Sequence, residues 1–197
     1  MTTQAELPHV EPDPTDRQLV EAITRDGDVM AFELLLHRYQ RPLFGFIRRQ
    51  VGDRADAEDL FQQTVMRIYD GIDTCRDPSA FRAWAFGIAA NLCKYQGRRQ
   101  LTRSTVTLSE VIENRPGWGP SPEAAAQTGE VRDQIARALD ALDPRQREVF
   151  VLYHYTHLSY DEIAVAVGAP IGTVKSRMNG ALTHLRTLLV SLKEAQP

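Results

Sequence analysis

Cysteine is scarce in this sequence, which has 2 among its 197 residues. Cys75 and Cys93 are too far apart for a CxxC motif and too few to build a zinc site, so we expect buried or semi-buried, reduced thiols. The sequence also lacks any apolar run near the roughly 20 residues that a membrane-spanning helix needs. Residues 1–14 are acidic and contain proline, unlike a signal peptide, and are predicted to be a disordered tail. These absences predict a soluble, cytoplasmic protein without membrane insertion, cofactor or structural metal.

Two long stretches contain neither aspartate nor glutamate, although the whole chain has a net charge of −3. They are residues 78–109 and residues 163–193, and each carries several lysines and arginines. Phosphate backbones respond to local positive charge rather than to the charge of the whole protein. The two stretches therefore predict two separate nucleic-acid-binding surfaces on one chain.

Apolar residues recur at three- and four-residue steps over residues 15–100, which predicts an all-helical bundle. Thr15 and Gln18 have the spacing of a capping box at the start of the first helix. A second helix is predicted to end at Gly52 and Asp53. The last helix of this part is predicted to start near Asp77 and Pro78, because aspartate caps helices and proline fits their first turn.

The helical periodicity lapses over residues 101–128, which are rich in proline and glycine and are predicted to form a flexible linker. The linker separates two small domains, residues 15–100 and residues 129–197. The second domain again has a cap followed by proline, at Asp143 and Pro144. We therefore expect an all-α protein of two helical domains that can bind separate sites.

The second domain contains the helix, short turn, helix pattern of a DNA-binding motif. Ser159 and Glu162 predict a capping box, Gly168 suits a left-handed helix end, and the next helix is predicted from about Ile171. In such motifs the start of the second helix reads base edges in the major groove. The alternative for its polar side chains is an ordinary solvated helix face. The residues predicted to bind DNA here are Thr173, Lys175, Ser176 and Arg177.

The first acid-free stretch interleaves aromatic and cationic side chains, and unpaired bases bind to stacking surfaces beside cations. Asn91 and Lys94 are one helical turn apart, so they suit an extruded base edge and the adjacent phosphate. For Trp84 the main alternative is packing in the core. The residues predicted to bind DNA here are Phe81, Arg82, Trp84, Asn91, Lys94, Arg98 and Arg99.

The helix that follows Gly52 begins with acidic and amide side chains. Negative charge suits a helix N-terminus, which explains part of the pattern without any partner. Duplex DNA would be repelled by this surface, so a basic protein surface is the predicted partner. The residues predicted to make this contact are Asp56, Asp59, Gln62 and Gln63.

In their order and spacing, these motifs resemble those of bacterial RNA polymerase sigma factors of the sigma-70 class, in the extracytoplasmic function (ECF) subgroup. The resemblance covers nearly all of the chain except the tail and the linker. The motifs that carry it are residues 31–35, 38–39, 51–53, 57–62, 81–84, 88–92, 142–149, 158–164 and 172–177.

The resemblance implies a sigma2-like first domain in which the helix with Asp59 and Gln62 binds the clamp helices of the largest subunit of core RNA polymerase. It implies that residues 81–99 recognise and melt the minus-ten promoter element, with Asn91 facing a flipped base. It further implies a sigma4-like second domain that docks on the polymerase flap and reads the minus-thirty-five element. The expected function is that of an alternative-type sigma factor, and an anti-sigma factor is an expected partner.

Two positions depart from the family pattern. Gln63 stands where the family usually has glutamate, and Gly180 lies in the recognition helix where further arginines are usual. A glycine inside a helix costs roughly 1 kcal/mol relative to alanine. The depleted arginines and the negative net charge suggest one alternative, a sigma-like mimic that sequesters an anti-sigma factor. The helix-turn-helix pattern leaves open another, an ordinary dimeric transcriptional regulator.

Catalysis has little support in the sequence. His154 and His157 have a ligand-like spacing, but no third ligand accompanies them. We therefore expect no enzymatic activity.

Overall fold

Helices are the only regular elements in the part of the chain that the computed structural model describes, residues 13–51, 53–100 and 137–194. The predicted linker and most of the predicted tail lie outside the described residues. The N-terminal half (residues 13–100) contains α1 (Asp16–Asp26), α2 (Val29–Val51), α3 (Arg54–Gly71) and α4 (Phe81–Gln100), with 3₁₀ turns at Ile72–Thr74 and Pro78–Ala80. The C-terminal half (residues 137–194) contains α5 (Pro144–Thr156), α6 (Tyr160–Val167) and α7 (Ile171–Glu194). The predicted all-α fold is confirmed.

Local hydrogen bonds start the helices of the N-terminal half where the sequence predicts them. The Thr15 N–H donates to Gln18 Oε1 at 2.8 Å, and the Gln18 N–H donates to Thr15 Oγ1 at 3.3 Å, which is the predicted capping box. Asp53 caps α3 by accepting from a backbone N–H at 3.0 Å. Asp77 caps a 3₁₀ turn first, and α4 itself begins only at Phe81.

The helix-turn-helix of the C-terminal half also follows its predicted signals. Asp143 caps α5, and Ser159 forms a capping box with Glu162, whose Oε2 accepts from the Ser159 N–H at 2.7 Å. Gly168 ends α6 in the left-handed region at φ 62. His157 ends α5 in the same region at φ 56, which the sequence did not predict because histidine rarely adopts it. The left-handed conformation of Gly168 therefore ends α6 and allows the short turn that leads into α7.

The core of the N-terminal half is built around α2. Its buried face consists of Ala31, Leu35, Tyr39, Leu43, Phe46 and Ile47, and it packs against α1, α3 and α4. Edge-to-face aromatic pairs join the helices, with ring centroids 5.8 Å apart for Phe46 and Phe86. Cys75 and Cys93 are buried, free thiols, as predicted.

The two halves pack directly against each other. Helices α2 and α4 of the N-terminal half contact α5 and α6 of the C-terminal half. One continuous cluster of buried side chains spans both halves, and it includes Phe86 from α4 together with Leu152 from α5 and Ile163 from α6. The spacing of motifs along the sequence predicts two domains but not this shared core.

Candidate polymerase and promoter interfaces

The predicted protein-binding residues lie on the solvent side of α3. Asp59, Gln62 and Gln63 are exposed and Asp56 is half-buried, while the opposite side of the helix packs in the core. We call these four residues the acidic face. Because Ala57, Leu60, Thr64 and Ile68 form the buried side of α3, the side chains of Asp59, Gln62 and Gln63 face solvent.

An apolar extension of the acidic face was missed by the sequence reasoning. Met66 follows Asp59 by seven residues, which places both on one side of α3, and its side chain is 64% exposed. Tyr69 is also exposed and contacts Phe32 of α2 edge to face, with ring centroids 5.0 Å apart. The available signal was a methionine on the polar side of an amphipathic helix.

Phe81 is placed in the core rather than on a DNA-facing surface. It is 2% exposed, and its ring lies between those of Tyr39, at 5.5 Å, and Trp84, at 5.8 Å. Trp84 is half-buried, whereas Asn91 and Tyr95 are exposed on α4. Phe81 therefore packs against Trp84 from the core. The half-buried Trp84 and the exposed Asn91 are better candidates than Phe81 for contact with bases.

Two of the predicted DNA-binding cations on α4 contact the C-terminal half. The Lys94 ammonium lies 3.1 Å from Glu148 Oε1 on α5. The Arg82 guanidinium donates a hydrogen bond to the carbonyl oxygen of Thr156 at the end of α5. For Arg98 and Arg99 only the helical backbone of α4 is described, so their side-chain roles remain predictions.

Glu148 is an unusual buried carboxylate. It is 4% exposed, and its Oε2 atom has no hydrogen-bond partner among the described residues. Burial raises the pKa of Glu148 above its ordinary value, although the positive charges of Lys94, Arg177 and Arg145 act in the opposite direction. Burial likewise raises the pKa of the Cys93 thiol to about 12, with a further contribution from Glu148. Burial therefore disfavours the ionised form of the Glu148 carboxylate.

The predicted recognition residues occupy the first turns of α7. Lys175 and Ser176 are exposed, and Thr173 and Arg177 are half-buried. Buried Val174 beside them anchors the helix in the core. The structure therefore brings the four predicted residues together at the exposed start of the second helix of the motif.

Gly180 lies beside Gln146 of α5. A Cβ atom at position 180 would lie 2.5 Å from Nε2 of Gln146. This atom is at the far end of a flexible side chain, so an alanine would require only that Gln146 shift. The packing therefore shows what lies next to this departure from the family pattern but does not require glycine there.

No candidate metal site emerges from the described ranges, where no group of three or more His, Cys, Asp or Glu side chains is arranged to hold an ion. His154 instead stacks near Phe150, with ring centroids 4.3 Å apart, and burial lowers the pKa of His154. None of the helices in these ranges is long and apolar enough to cross a membrane.

Two family models match the chain, one in each half. The sigma-70 region 2 model matches residues 35–103, and the sigma-70 region 4 model matches residues 132–185. The chain is 34% identical over 171 residues to the RNA polymerase sigma-H factor of Pseudomonas aeruginosa, across 83% of this chain and 88% of that protein. It is 35% identical over 173 residues to the ECF RNA polymerase sigma-E factor of Escherichia coli K12, with the same coverage.

Solved structures of similar fold agree with these matches. CnrH, in complex with the cytosolic domain of CnrY, is 28% identical with a TM-score of 0.67, covering 89% of this chain and 97% of that one. The sigma factor RpoE of Bartonella quintana, in complex with the anti-sigma factor NepR, is 26% identical with a TM-score of 0.67, covering 86% of this chain and 100% of that one. The chain therefore belongs to the sigma-70 family of RNA polymerase sigma factors, in the extracytoplasmic function group.

Proposed function

We propose that three surfaces of this sigma factor have separate binding roles in transcription initiation. The protein is an alternative sigma factor that directs RNA polymerase to promoters. The acidic face holds the polymerase, α4 binds the minus-ten element, and the start of α7 reads the minus-thirty-five element. The observation that carries this division is that two acid-free segments, α4 and residues 171–193 of α7, lie in different halves, while the acidic face lies apart on α3.

The acidic face is assigned to the clamp helices of the largest polymerase subunit. Its exposed carboxylate and amides present acceptors to a basic, hydrogen-bonding partner, and complementary charge speeds and orients such encounters. Met66 adds an apolar contact beside Asp59, since interface centres are enriched in methionine. The exposure of the Asp59, Gln62, Gln63 and Met66 side chains supports the assignment.

Helix α4 is assigned to the minus-ten element. Asn91 is exposed and carries both a donor and an acceptor, so it can bind the edge of a base taken out of the stack. Lys94, one turn later, supplies positive charge for the neighbouring phosphate. The half-buried Trp84 offers part of its ring for stacking, with Phe81 fixing the position of that ring from the core.

The start of α7 is assigned to the minus-thirty-five element. Lys175 and Ser176 project from the first turns of the helix, where helix-turn-helix proteins contact base edges. Lysine and arginine donate to the guanine acceptors in the major groove, and serine bonds to either partner of a base pair. The buried Val174 and Met178 hold this helix rigidly against the rest of the motif.

An anti-sigma factor is the remaining expected partner. The similar structures CnrH and RpoE were each solved with another protein bound, and that of RpoE is an anti-sigma factor. We infer that a protein of this kind controls the present chain as well.

Transcription with purified components tests the proposed function. The protein is added to bacterial core RNA polymerase on fragmented genomic DNA, and the transcripts are sequenced from their 5′ ends. We expect a limited set of start sites that share two upstream elements. The same start sites with and without the protein would contradict the proposal.

A further inference from the structure

Tyr95 is an exposed aromatic residue on the helix assigned to the minus-ten element. It is 60% exposed, which is the largest exposed fraction of any aromatic residue in the described ranges. The other aromatic residues of α4 have a packing role, since Phe81 and Phe86 are buried and Trp84 packs against the core. Core packing therefore does not explain why an aromatic ring stands at position 95.

Tyr95 belongs to a row of four side chains along one side of α4, which we call the α4 stripe. Its members follow one another at steps of four, three and four residues, and such steps keep side chains on one side of a helix. They are Trp84, Ile88, Asn91 and Tyr95. The first two are half-buried and the last two are exposed. The stripe therefore runs from the edge of the core into solvent, with the amide of Asn91 between apolar side chains.

The spacing of Asn91 and Tyr95 suits neighbouring nucleotides of one strand. Four residues of an α-helix rise by roughly 6 Å. Stacked nucleotides of one strand are roughly 3.4 Å apart, and the distance grows when the bases are splayed. A strand that presents one base edge to Asn91 therefore brings the next base within reach of the Tyr95 ring.

The charges around Tyr95 favour a nucleic acid as its partner. Residues 78–109 contain no aspartate or glutamate, so this segment has no carboxylate that would repel phosphate. Lys94 precedes Tyr95 in the chain, and Arg98 and Arg99 follow it. An aromatic ring beside cations is the combination that binds single-stranded nucleic acid through base stacking. The partner that this ring fits is therefore an unpaired base.

We propose that Tyr95 is a base-stacking residue of the minus-ten surface, whose ring holds the unpaired base next to the one that Asn91 binds. This inference rests on the proposed assignment of α4 to the minus-ten element, and it adds a residue and a second base to that assignment. Stacking tolerates every base, whereas an amide reads the edge of one base. Tyr95 therefore contributes affinity for the melted strand, and Asn91 contributes sequence preference.

A combination of protein and DNA changes tests the proposal. Polymerase holoenzyme is formed with the wild type, Tyr95→Ala or Asn91→Ala, and the promoter is one identified by transcript sequencing with the wild type. The DNA probe is duplex upstream, and its non-template strand is single-stranded across the minus-ten element. Abasic sites placed one at a time along that strand each remove a single base. Fluorescence anisotropy measures the affinity of each holoenzyme for each probe.

We expect Tyr95→Ala to bind the intact probe about tenfold more weakly, which corresponds to the loss of one stacked base. At one position, an abasic site should weaken binding by the wild type but cause no further loss in Tyr95→Ala, because both changes remove the same contact. Asn91→Ala should show the same non-additivity at the adjacent position. Tyr95→Phe keeps the ring and should bind within about twofold of the wild type, whereas Tyr95→Leu should behave like Tyr95→Ala.

Tyr153→Ala is the matched control, because it removes an exposed tyrosine from α5, and it should bind the intact probe like the wild type. An equal loss in Tyr153→Ala would overturn the proposal. Purely additive effects of Tyr95→Ala and every abasic site would also overturn it. So would weaker binding of Tyr95→Ala to core polymerase in the absence of DNA, since the ring would then contact protein.

The Asn91 variant separates the two levels of the argument. Non-additivity for Asn91→Ala alone would remove the role of Tyr95 and leave α4 assigned to the minus-ten element. Additive effects for both variants at every position would contradict the assignment of α4 itself. Failure of the wild type to direct initiation would contradict the proposed function as a whole.

Discussion

Lys94 and Glu148 form an ion pair at 3.1 Å, although they belong to helices on opposite sides of the predicted linker. Lys94 is predicted to bind promoter phosphate, and Glu148 belongs to the C-terminal half. The pair therefore connects the proposed DNA surface of one half to the fold of the other. The two residues also differ in solvent exposure, because Lys94 is partly exposed whereas the Glu148 side chain is buried.

Removing the lysine of this pair should destabilise the fold. In Lys94→Ala, the buried Glu148 carboxylate loses its direct partner, and we expect a loss of about 2 kcal/mol in the free energy of unfolding at pH 7. Urea unfolding measures this loss. Lys175→Ala, which removes an exposed lysine, is the control and should leave stability unchanged.

The loss in Lys94→Ala should shrink on acidification. The folded pKa of Glu148 is already raised above 4.5, and removal of Lys94 raises it further. An acid with a raised folded pKa binds more protons when folded, so its contribution to stability improves as the pH falls from that raised value toward 4.5. Urea unfolding of variant and wild type at pH 5 and pH 7 checks the sign. A larger loss at pH 5 would contradict the buried-carboxylate interpretation.

The start of α7 should account for minus-thirty-five recognition. Substituting Lys175 and Arg177 by alanine should each weaken promoter binding by about 1 to 3 kcal/mol where the side chain contacts a base bidentately. Arg186→Ala removes an exposed arginine further along the same helix and serves as the control. Footprinting of the polymerase complex measures the effect. Equal protection by the Lys175 and Arg177 variants and the wild type would remove the reading role.

The acidic face should determine affinity for core polymerase. Asp59→Lys reverses a charge at its centre, and we expect roughly tenfold weaker binding, with greater sensitivity at low salt. Asp26→Lys is the matched control, because it reverses an exposed carboxylate on a different helix, at the end of α1. Fluorescence titration of labelled protein with core polymerase compares the two. An equal effect of both substitutions would indicate general charge repulsion rather than a specific contact.

Gly180→Ala should stabilise the C-terminal half slightly. The change gains up to about 1 kcal/mol of helix propensity, and the nearest obstacle is the flexible amide of Gln146. Gly97→Ala, with open space around the new Cβ, gives the propensity gain without an obstacle. Thermal melting compares the two variants. A lower melting temperature for Gly180→Ala would mean that Gln146 is fixed in its position.

The helix ends were predictable from the sequence because they depend on neighbours in the chain. Thr15 with Gln18 and Ser159 with Glu162 satisfy the free N–H groups of their own helices, so three-residue spacing suffices to locate them. The left-handed end at Gly168 follows from the missing Cβ. The surfaces of α3 and α7 were predictable for the same reason, since each helix buries its apolar side and exposes the rest.

The partner of α4 was not predictable from local patterns. Whether Phe81 stacks on bases or packs in the core depends on Tyr39, which is distant in sequence. Glu148 has no periodic signal that identifies it as the partner of Lys94. One signal was available: residues 83–90 contain no polar side chain, and a helix that is apolar all round is buried on all sides. That pattern indicates a second covering surface, which the C-terminal half provides.

The shared core has a consequence for how the chain unfolds. Because apolar side chains of both halves, among them Phe86 of α4, Leu152 of α5 and Ile163 of α6, lie in one cluster, unfolding of either half would uncover apolar surface of the other at roughly 25 cal/mol for each Å². The described residues should therefore melt in one cooperative transition rather than as two independent units.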